Sequence, residues 1–199
     1  MSTTSTDSID HEDMLGLQAG REVCLDRLME RHGGRLFRYL ARVLQDEVEA
    51  REVAQETFVR VFLHRASFDS RQRFSGWLYR IATNLGRDVL RRRQTRRSHA
   101  ASVMEGVALR TELGGGGEVG VDPHGELAQR ERGELVREAI GELSEDLREV
   151  VLLSEYEGLS HAEIGVVLGC TAKAVEMRLY RGRQVLREQL RPLLADEVG

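Results

Sequence analysis

Apolar residues recur along most of this chain at helical spacing. Leu25, Leu28, Met29, Leu36, Phe37, Leu40, Val43 and Leu44 stand three, four or seven apart, which puts them on one face of a helix. Gly33 and Gly34 interrupt that run and mark where it can bend or break. Ala50, Val53, Ala54, Phe58, Val61 and Phe62 repeat the pattern and predict a second amphipathic helix, with "FDSRQRF" (68–74) as the loop after it. Phe74, Trp77, Leu78, Ile81, Leu85 and Val89 form the apolar stripe of a third. Helical periodicity returns near Glu126 and continues to Leu194. The stretch between holds "GGGGEVGVDPHG" (114–125), a composition that is flexible and buries little apolar surface. The predicted fold class is therefore all-α, with two small helical domains joined by a flexible linker. Its boundaries are an acidic disordered tail at 1–13, a first domain at 14–97, the linker at 98–127, a second domain at 128–194 and a tail at 195–199.

Composition narrows the class. Of 199 residues, 41% are hydrophobic and 31% charged, which suits a folded helical protein rather than a disordered one. Cys24 and Cys170 stand far apart and match no metal-ligand spacing, so each reads as a small buried thiol. No Gly-rich phosphate loop, nucleophile elbow or paired-His motif occurs, so the sequence predicts no metal, no cofactor and no enzyme. The polar start "MSTTSTDSIDHEDM" has no signal-peptide core, and "VVLL" (150–153) is far too short to cross a bilayer. A cytoplasmic, membrane-free protein is expected.

Charge is where the picture changes. The chain has a formal net charge of −4, yet "RIATNLGRDVLRRRQTRR" (80–97) carries seven arginines against the single acid Asp88. Arg80, Asn84, Arg87, Asp88 and Arg91 step by three, four or one, so they share the face opposite the apolar stripe. A solvated charged face usually mixes signs, and this one is nearly all positive. A basic helix end favoured by the helix dipole is the plain explanation. Three features point further. The positive density runs on into "RRRQTRR", Asn84 is a base-reading amide within it, and Phe74, Trp77 and Tyr79 lie just upstream, placed to stack on unpaired bases.

A second motif lies near the other end. In "LSHAEIGVVLGCTAKAVEMRLYRGRQVL" (159–186), Ser160 and Glu163 form a capping box. Gly169 suits a tight turn, and Thr171 can cap the helix that follows. Val175, Leu179, Gly182 and Leu186 are the inner face of that helix, leaving Lys173, Glu176, Met177, Arg178 and Arg181 outside. Two short helices with a basic outer face on the second describe a DNA-reading helix-turn-helix, although an ordinary helical hairpin has the same outline.

Together these segments resemble the bacterial RNA polymerase sigma factors of the extracytoplasmic-function (ECF) type. "EVAQETFVRVF" (52–62) is similar to the family's helix that docks on the clamp helices of the polymerase β′ subunit. "FSGWLYRIATNLGRDVLRRR" (74–93) is similar to the part of region 2 that melts and reads the −10 element, and the segment from Leu143 to Leu186 to region 4, which binds the −35 element. The resemblance implies that Glu52, Gln55 and Glu56 bind core polymerase. It implies −10 DNA binding by Trp77, Arg80, Asn84, Arg87, Asp88 and Arg91, with Gly86 breaking the helix to shape a base pocket. It implies −35 DNA binding by Thr171, Lys173, Glu176, Arg178, Arg181 and Arg183. The implied partners are core RNA polymerase (the β′ clamp helices and the β flap), promoter DNA and an anti-sigma factor. Without a region 1.1, a full region 3 or a fused regulatory domain, the minimal ECF type is expected.

Two departures stand out. Ser144 takes a position where the family often has proline, and is expected to cap a helix equally well. Glu176 takes a position where a base is common; it cannot hold a phosphate but can accept from cytosine. The alternative is a stand-alone helix-turn-helix regulator. That reading needs a dimer interface, for which no spare apolar surface is visible, and leaves the Glu52–Gln55–Glu56 face unused.

Overall fold

The structure, a computed structural model, describes residues 3–103 and 125–191. Among the described residues the chain is helical with no strand: α1 (Thr3–Gln18), α2 (Val23–Leu44), α3 (Glu47–Leu63), α4 (Phe74–Val103), α5 (Gly125–Glu142), α6 (Glu145–Glu155), α7 (His161–Leu168) and α8 (Ala172–Gln189). A single turn of 3₁₀ helix, Arg65–Ser67, follows α3. No helix among these residues is long and apolar enough to cross a membrane.

The first unit, α1–α4, is built on α2. Leu28, Leu36, Leu40 and Leu44 are fully buried and meet Ala50, Val53, Phe58 and Val61 of α3 and Phe74, Leu78 and Ala82 of α4. Burying each such leucine side chain is worth about 2 kcal/mol, so this stripe drives the assembly. Local chemistry sets the corners. Gln45 ends α2 in the left-handed conformation, and the Asp46 carboxylate caps α3 by accepting from the Glu49 N–H at 2.9 Å. Gly33 and Gly34 do not break α2, which runs unbroken to Leu44.

The second unit, α5–α8, buries Val150 to Leu153 of α6 against Ile164, Val167 and Leu168 of α7 and Val175 and Leu179 of α8. The predicted capping box is present: Ser160 Oγ accepts from the Glu163 N–H, and the Glu163 carboxylate accepts from the Ser160 N–H at 2.8 Å. Gly169 ends α7 with φ 69°, a left-handed conformation that a Cβ disfavours. Thr171 caps α8, its hydroxyl accepting from the Ala174 N–H at 3.1 Å. Gly182 lies where α8 presses on α6: a Cβ there would stand 2.8 Å from Val151 Cγ2. Ser144 holds the cap position of α6 but makes no side-chain cap bond; its φ of −58° is the angle a proline ring would impose. The backbone of the family's proline is kept without the ring.

The expected disordered tail is corrected. Most of 1–13 belongs to α1, which packs on α2. Met14 and Leu17 are fully buried, and so are the carboxylates of Asp10 (1% exposed) and Asp13. Asp10 meets Arg31 Nε at 2.9 Å and His32 Nε2 at 2.7 Å, while Asp13 pairs with Arg27 at 3.2 Å and with Arg31. The neutralising cations lie about twenty residues downstream, so local polarity gave the wrong answer. The expected linker, 98–127, is helical at both described flanks; 104–124 and the tail at 195–199 lie outside the described residues.

Burial alone would push the Asp10 carboxyl up, but the hydrogen bond and charge of His32 and of Arg31 hold it below its ordinary 3.8. The folded state therefore favours the carboxylate. Its stabilisation is full above about pH 4 and is lost as pH falls through the lowered folded value. Asp10→Asn is expected to destabilise the chain at pH 7 by about 2 kcal/mol in urea unfolding. That gap should close at lower pH. No effect at pH 7 would mean that α1 is not docked.

Candidate nucleic-acid interface

Helix α4 carries opposite chemistry on its two sides. The inner side holds Phe74, Leu78, Ala82 and Thr83, with the Tyr39 hydroxyl 2.9 Å from Thr83 Oγ1. Gly86 does not break the helix; it is buried at the crossing with α2, where a Cβ would meet Leu40 Cδ2 at 3.7 Å. Outside, Arg80, Asn84, Arg91 and Arg92 are exposed. Arg80, Arg92, Arg96 and Arg97 form no ion pair with any described residue, so their charges remain available to phosphate. Arg96 and Arg97 line a groove between the α2–α3 corner and α5, beside Arg42 and Arg137.

Other predicted contacts are already engaged. Arg91 pairs with Asp88 at 2.9 Å, one turn back on the same helix. Arg93 donates to the Leu44 carbonyl at 2.8 Å and pairs with Asp46 at 3.1 Å, holding α4 to the α2–α3 corner. Arg87 forks onto Glu149 of α6 at 2.6 and 3.2 Å. The aromatic expectation is corrected. Trp77 is only 9% exposed, and Phe74 and Tyr79 are buried deeper. Phe68 packs on Trp77 with ring centroids 5.2 Å apart, and Tyr39 on Tyr79 at 5.1 Å. These rings build the core and present no face to a base.

On α3, Glu52, Gln55 and Glu56 are all exposed on one side, with Glu56 paired to Arg60 at 2.9 Å. Sequence reasoning missed what flanks them on that face. Val48, Val59 and Leu63 are exposed on the same arc, so the face is an apolar stripe set among acids. Its signal was there: these three apolar residues keep helical spacing while standing off the core stripe.

Helix α8 divides the predicted −35 set. Lys173, Glu176 and Arg181 are exposed, with Lys173 and Glu176 paired at 2.9 Å, and Thr171 sits at the cap. Arg178 turns toward α6 and pairs with Asp146 at 3.3 Å, and Arg183 pairs with Glu155 at 2.6 Å. Tyr180, 58% exposed and missed by the sequence reading, joins Met177 on the outer face. Among the described residues no three His, Cys, Asp or Glu side chains gather as a metal site would require.

Comparison with known proteins fits this division. Residues 28–96 match sigma-70 region 2, and residues 133–186 match sigma-70 region 4. The ECF RNA polymerase sigma factor SigW of Bacillus subtilis is 34% identical over 161 residues, covering 80% of this chain and 84% of SigW. The solved structure of CnrH in complex with the cytosolic domain of CnrY aligns with a TM-score of 0.66 at 28% identity, covering 92% of this chain and 98% of CnrH. The fold is also that of the sigma factor RpoE, solved with the anti-sigma factor NepR from Bartonella quintana (TM-score 0.63, 19% identity, 83% of this chain and 96% of RpoE). A bipartite arrangement of region 2 and region 4 defines the class: a non-enzymatic factor for promoter recognition and transcription initiation. Within it, the chain belongs to the ECF sigma factors of bacterial RNA polymerase. A stand-alone helix-turn-helix regulator is not favoured, because the region 2 match covers the half of the chain that such a regulator leaves unexplained.

The buried indole gives a direct check. Trp77→Ala is expected to lower stability by about 3–5 kcal/mol, as loss of a buried large ring does. Trp77 emission in the free protein should be blue-shifted and change little when single-stranded −10 DNA is added. Strong quenching of native, folded protein by that DNA would restore the stacking role.

Proposed function

We propose that the three exposed surfaces divide the work of initiation. The α3 face of Glu52, Gln55 and Glu56, extended by Val59 and Leu63, docks on the β′ clamp helices of core polymerase. The outer side of α4, with Arg80, Asn84 and Arg91 and with Arg87 once it is released from Glu149, holds the melted −10 strand. Helix α8 enters duplex DNA at the −35 element through Lys173, Glu176 and Arg181, with Arg178 and Arg183 bracing it on α6. The β flap is the expected second polymerase contact of region 4. The observation that carries this reading is the row of unpaired, exposed cations on α4, in a chain whose net charge is −4. A polyanion is the ligand they fit.

An anti-sigma factor is the proposed regulator. CnrH was solved with the cytosolic domain of CnrY, and RpoE with the anti-sigma factor NepR. The cytoplasm, where polymerase and promoter DNA meet, is the proposed location.

Glu52→Lys with Glu56→Lys should weaken binding to core polymerase at least tenfold while circular dichroism stays native. Unchanged capture of core by the double variant would remove α3 from that role.

Asn84→Ala should impair promoter opening and relax base preference at one −10 position by about 1–3 kcal/mol, leaving duplex −35 binding intact. Arg181→Ala should weaken the closed complex instead, and a template with a pre-opened −10 bubble should largely rescue it. Rescue of Asn84→Ala but not of Arg181→Ala would reverse the two assignments.

A further inference from the structure

Of the 29 lysine and arginine residues in the chain, all but Lys173 are arginine. This lone lysine lies in the first turn of α8, two residues after the Thr171 cap, on the exposed outer face with Glu176, Met177 and Tyr180. Helix stability gives no reason for a lysine there. The first turn is the positive end of the helix dipole, where a cation is disfavoured. Among the described residues the amine has one ion pair, with Glu176 at 2.9 Å, and both side chains are exposed. An exposed pair three residues apart on one helix stabilises little. Contact with DNA does not single out lysine either. Arginine reads guanine at least as well, and it offers phosphate two parallel N–H donors where lysine offers a point charge. What a lysine has and an arginine lacks is an amine that gives up its proton and accepts an acyl group.

We propose that Lys173 is an acetylation site whose modification weakens duplex binding by α8. The proposal rests on the assignment of α8 to the −35 element, and names how that surface is regulated. The co-reactant is an activated acetyl donor, a thioester or an acyl phosphate. The neutral amine attacks the carbonyl carbon of the donor. A C–N bond forms as that carbon's bond to sulfur or to phosphate oxygen breaks. The thiolate or phosphate leaves with the electron pair and takes one of the two protons that the ammonium gives up; water takes the other. Nothing is oxidised or reduced.

The ion pair makes one modification act twice. The hydrogen bond and charge of Lys173 hold the Glu176 carboxyl below its ordinary 4.5, so the acid is ionised and its charge is offset by the neighbouring amine. Acetylation removes that cation and leaves Glu176 as an uncompensated anion on the face that meets phosphate. The exposed charges of α8 assigned to DNA, Lys173, Glu176 and Arg181, then pass from net positive to net zero. Electrostatic attraction to the duplex from this part of the helix is lost with them. Access is open as well: Lys173 stands in water, so a donor or a transferase reaches it without unfolding the helix.

The chain supplies its own assay. A lysine-specific endoprotease cuts the denatured polypeptide once, after Lys173, and an acetylated amine blocks the cut. Full-length chain isolated from the bacterium that makes it, grown on acetate, should contain an uncut fraction whose Lys173 peptide carries one acetyl group by mass spectrometry. Loss of that fraction in cells unable to make acetyl phosphate identifies the acyl phosphate as donor, and its persistence identifies the thioester. A chain that is cut completely under every growth condition overturns the proposal. The second arm uses full-length chain with acetyl-lysine placed at position 173 during translation. Its affinity for duplex −35 DNA, read by fluorescence anisotropy, should fall by about fivefold or more, and the slope of log affinity against log salt should drop by about one, as loss of one phosphate contact requires. Lys173→Arg keeps the cation and should bind at least threefold more tightly than the acetylated chain. An acetylated chain that binds like the parent overturns the proposal. So does a Lys173→Arg chain as weak as the acetylated one, because base reading would then fix the lysine. Duplex binding by the unmodified chain reports the −35 assignment itself, so failure of that underlying reading shows up separately.

Discussion

A single buried guanidinium decides where region 4 lies. Arg148 is almost fully enclosed and, among the described residues, forms no ion pair within 4 Å, although Glu145 and Glu149 lie near enough to favour its charge. It donates to the Ile140 carbonyl at 3.1 Å, to Leu143 at 2.8 Å and to Gly141, all at the end of α5, and across the junction to Val43 at 3.1 Å near the end of α2. Two helix C-termini, each with unsatisfied carbonyls and a partial negative charge, converge there. Alone they would repel, and Arg148 supplies both donors and charge. Its cation is disfavoured by burial, so the arrangement holds only while those carbonyls surround it. The next residue in the chain is Glu149. Fixing Arg148 on α2 therefore also aims Glu149 at Arg87 of α4, and the rest of the junction follows.

Helix α4 must satisfy two demands at once. It is the spine of region 2, so its inner side needs bulky apolar groups, and the aromatic residues near its start go there. Its outer side carries exposed cations unpaired among the described residues, Arg80, Arg92, Arg96 and Arg97, the charge a polyanion would require. The helical period separates the demands cleanly for Arg80 and Asn84, which stand clear of the core. It does not do so for Trp77 and Tyr79, which look upstream of the basic segment in sequence but point inward in space. What this surface offers a ligand is thus mainly electrostatic, charges placed on a rigid rod.

Much of this was legible because it is local. Apolar spacing located α2, α3 and α4; the Ser160–Glu163 box, Gly169 and Thr171 located α7 and α8 and the turn between them. What failed was long-range. Asp10 and Asp13 look like a solvated tail until Arg27, Arg31 and His32 are brought beside them by the fold. Arg178 and Arg183 look like outward-facing contacts until Asp146 and Glu155 of α6 face them. In each case the residue was read with the right charge and the wrong neighbour. An isolated sequence window holds no information about which oppositely charged helix will arrive.

The acidity of the chain now has a physical use beyond solubility. A strongly basic α4 on a free protein would bind any DNA at low salt, because phosphate neutralisation needs no sequence. Acids placed opposite those arginines, on another part of the same chain, lower that unspecific affinity at short range, where salt screens less. Glu149 is placed this way opposite Arg87 of α4, while Glu163 and Glu157 pair with Arg73 and Arg35, which precede α4. Exposed acids on α3 cannot, since they lie on a different face and remain in water. The two acidic groups therefore do separate work. One neutralises Arg87 while Arg80, Arg92, Arg96 and Arg97 stay unpaired among the described residues, and the other remains in water.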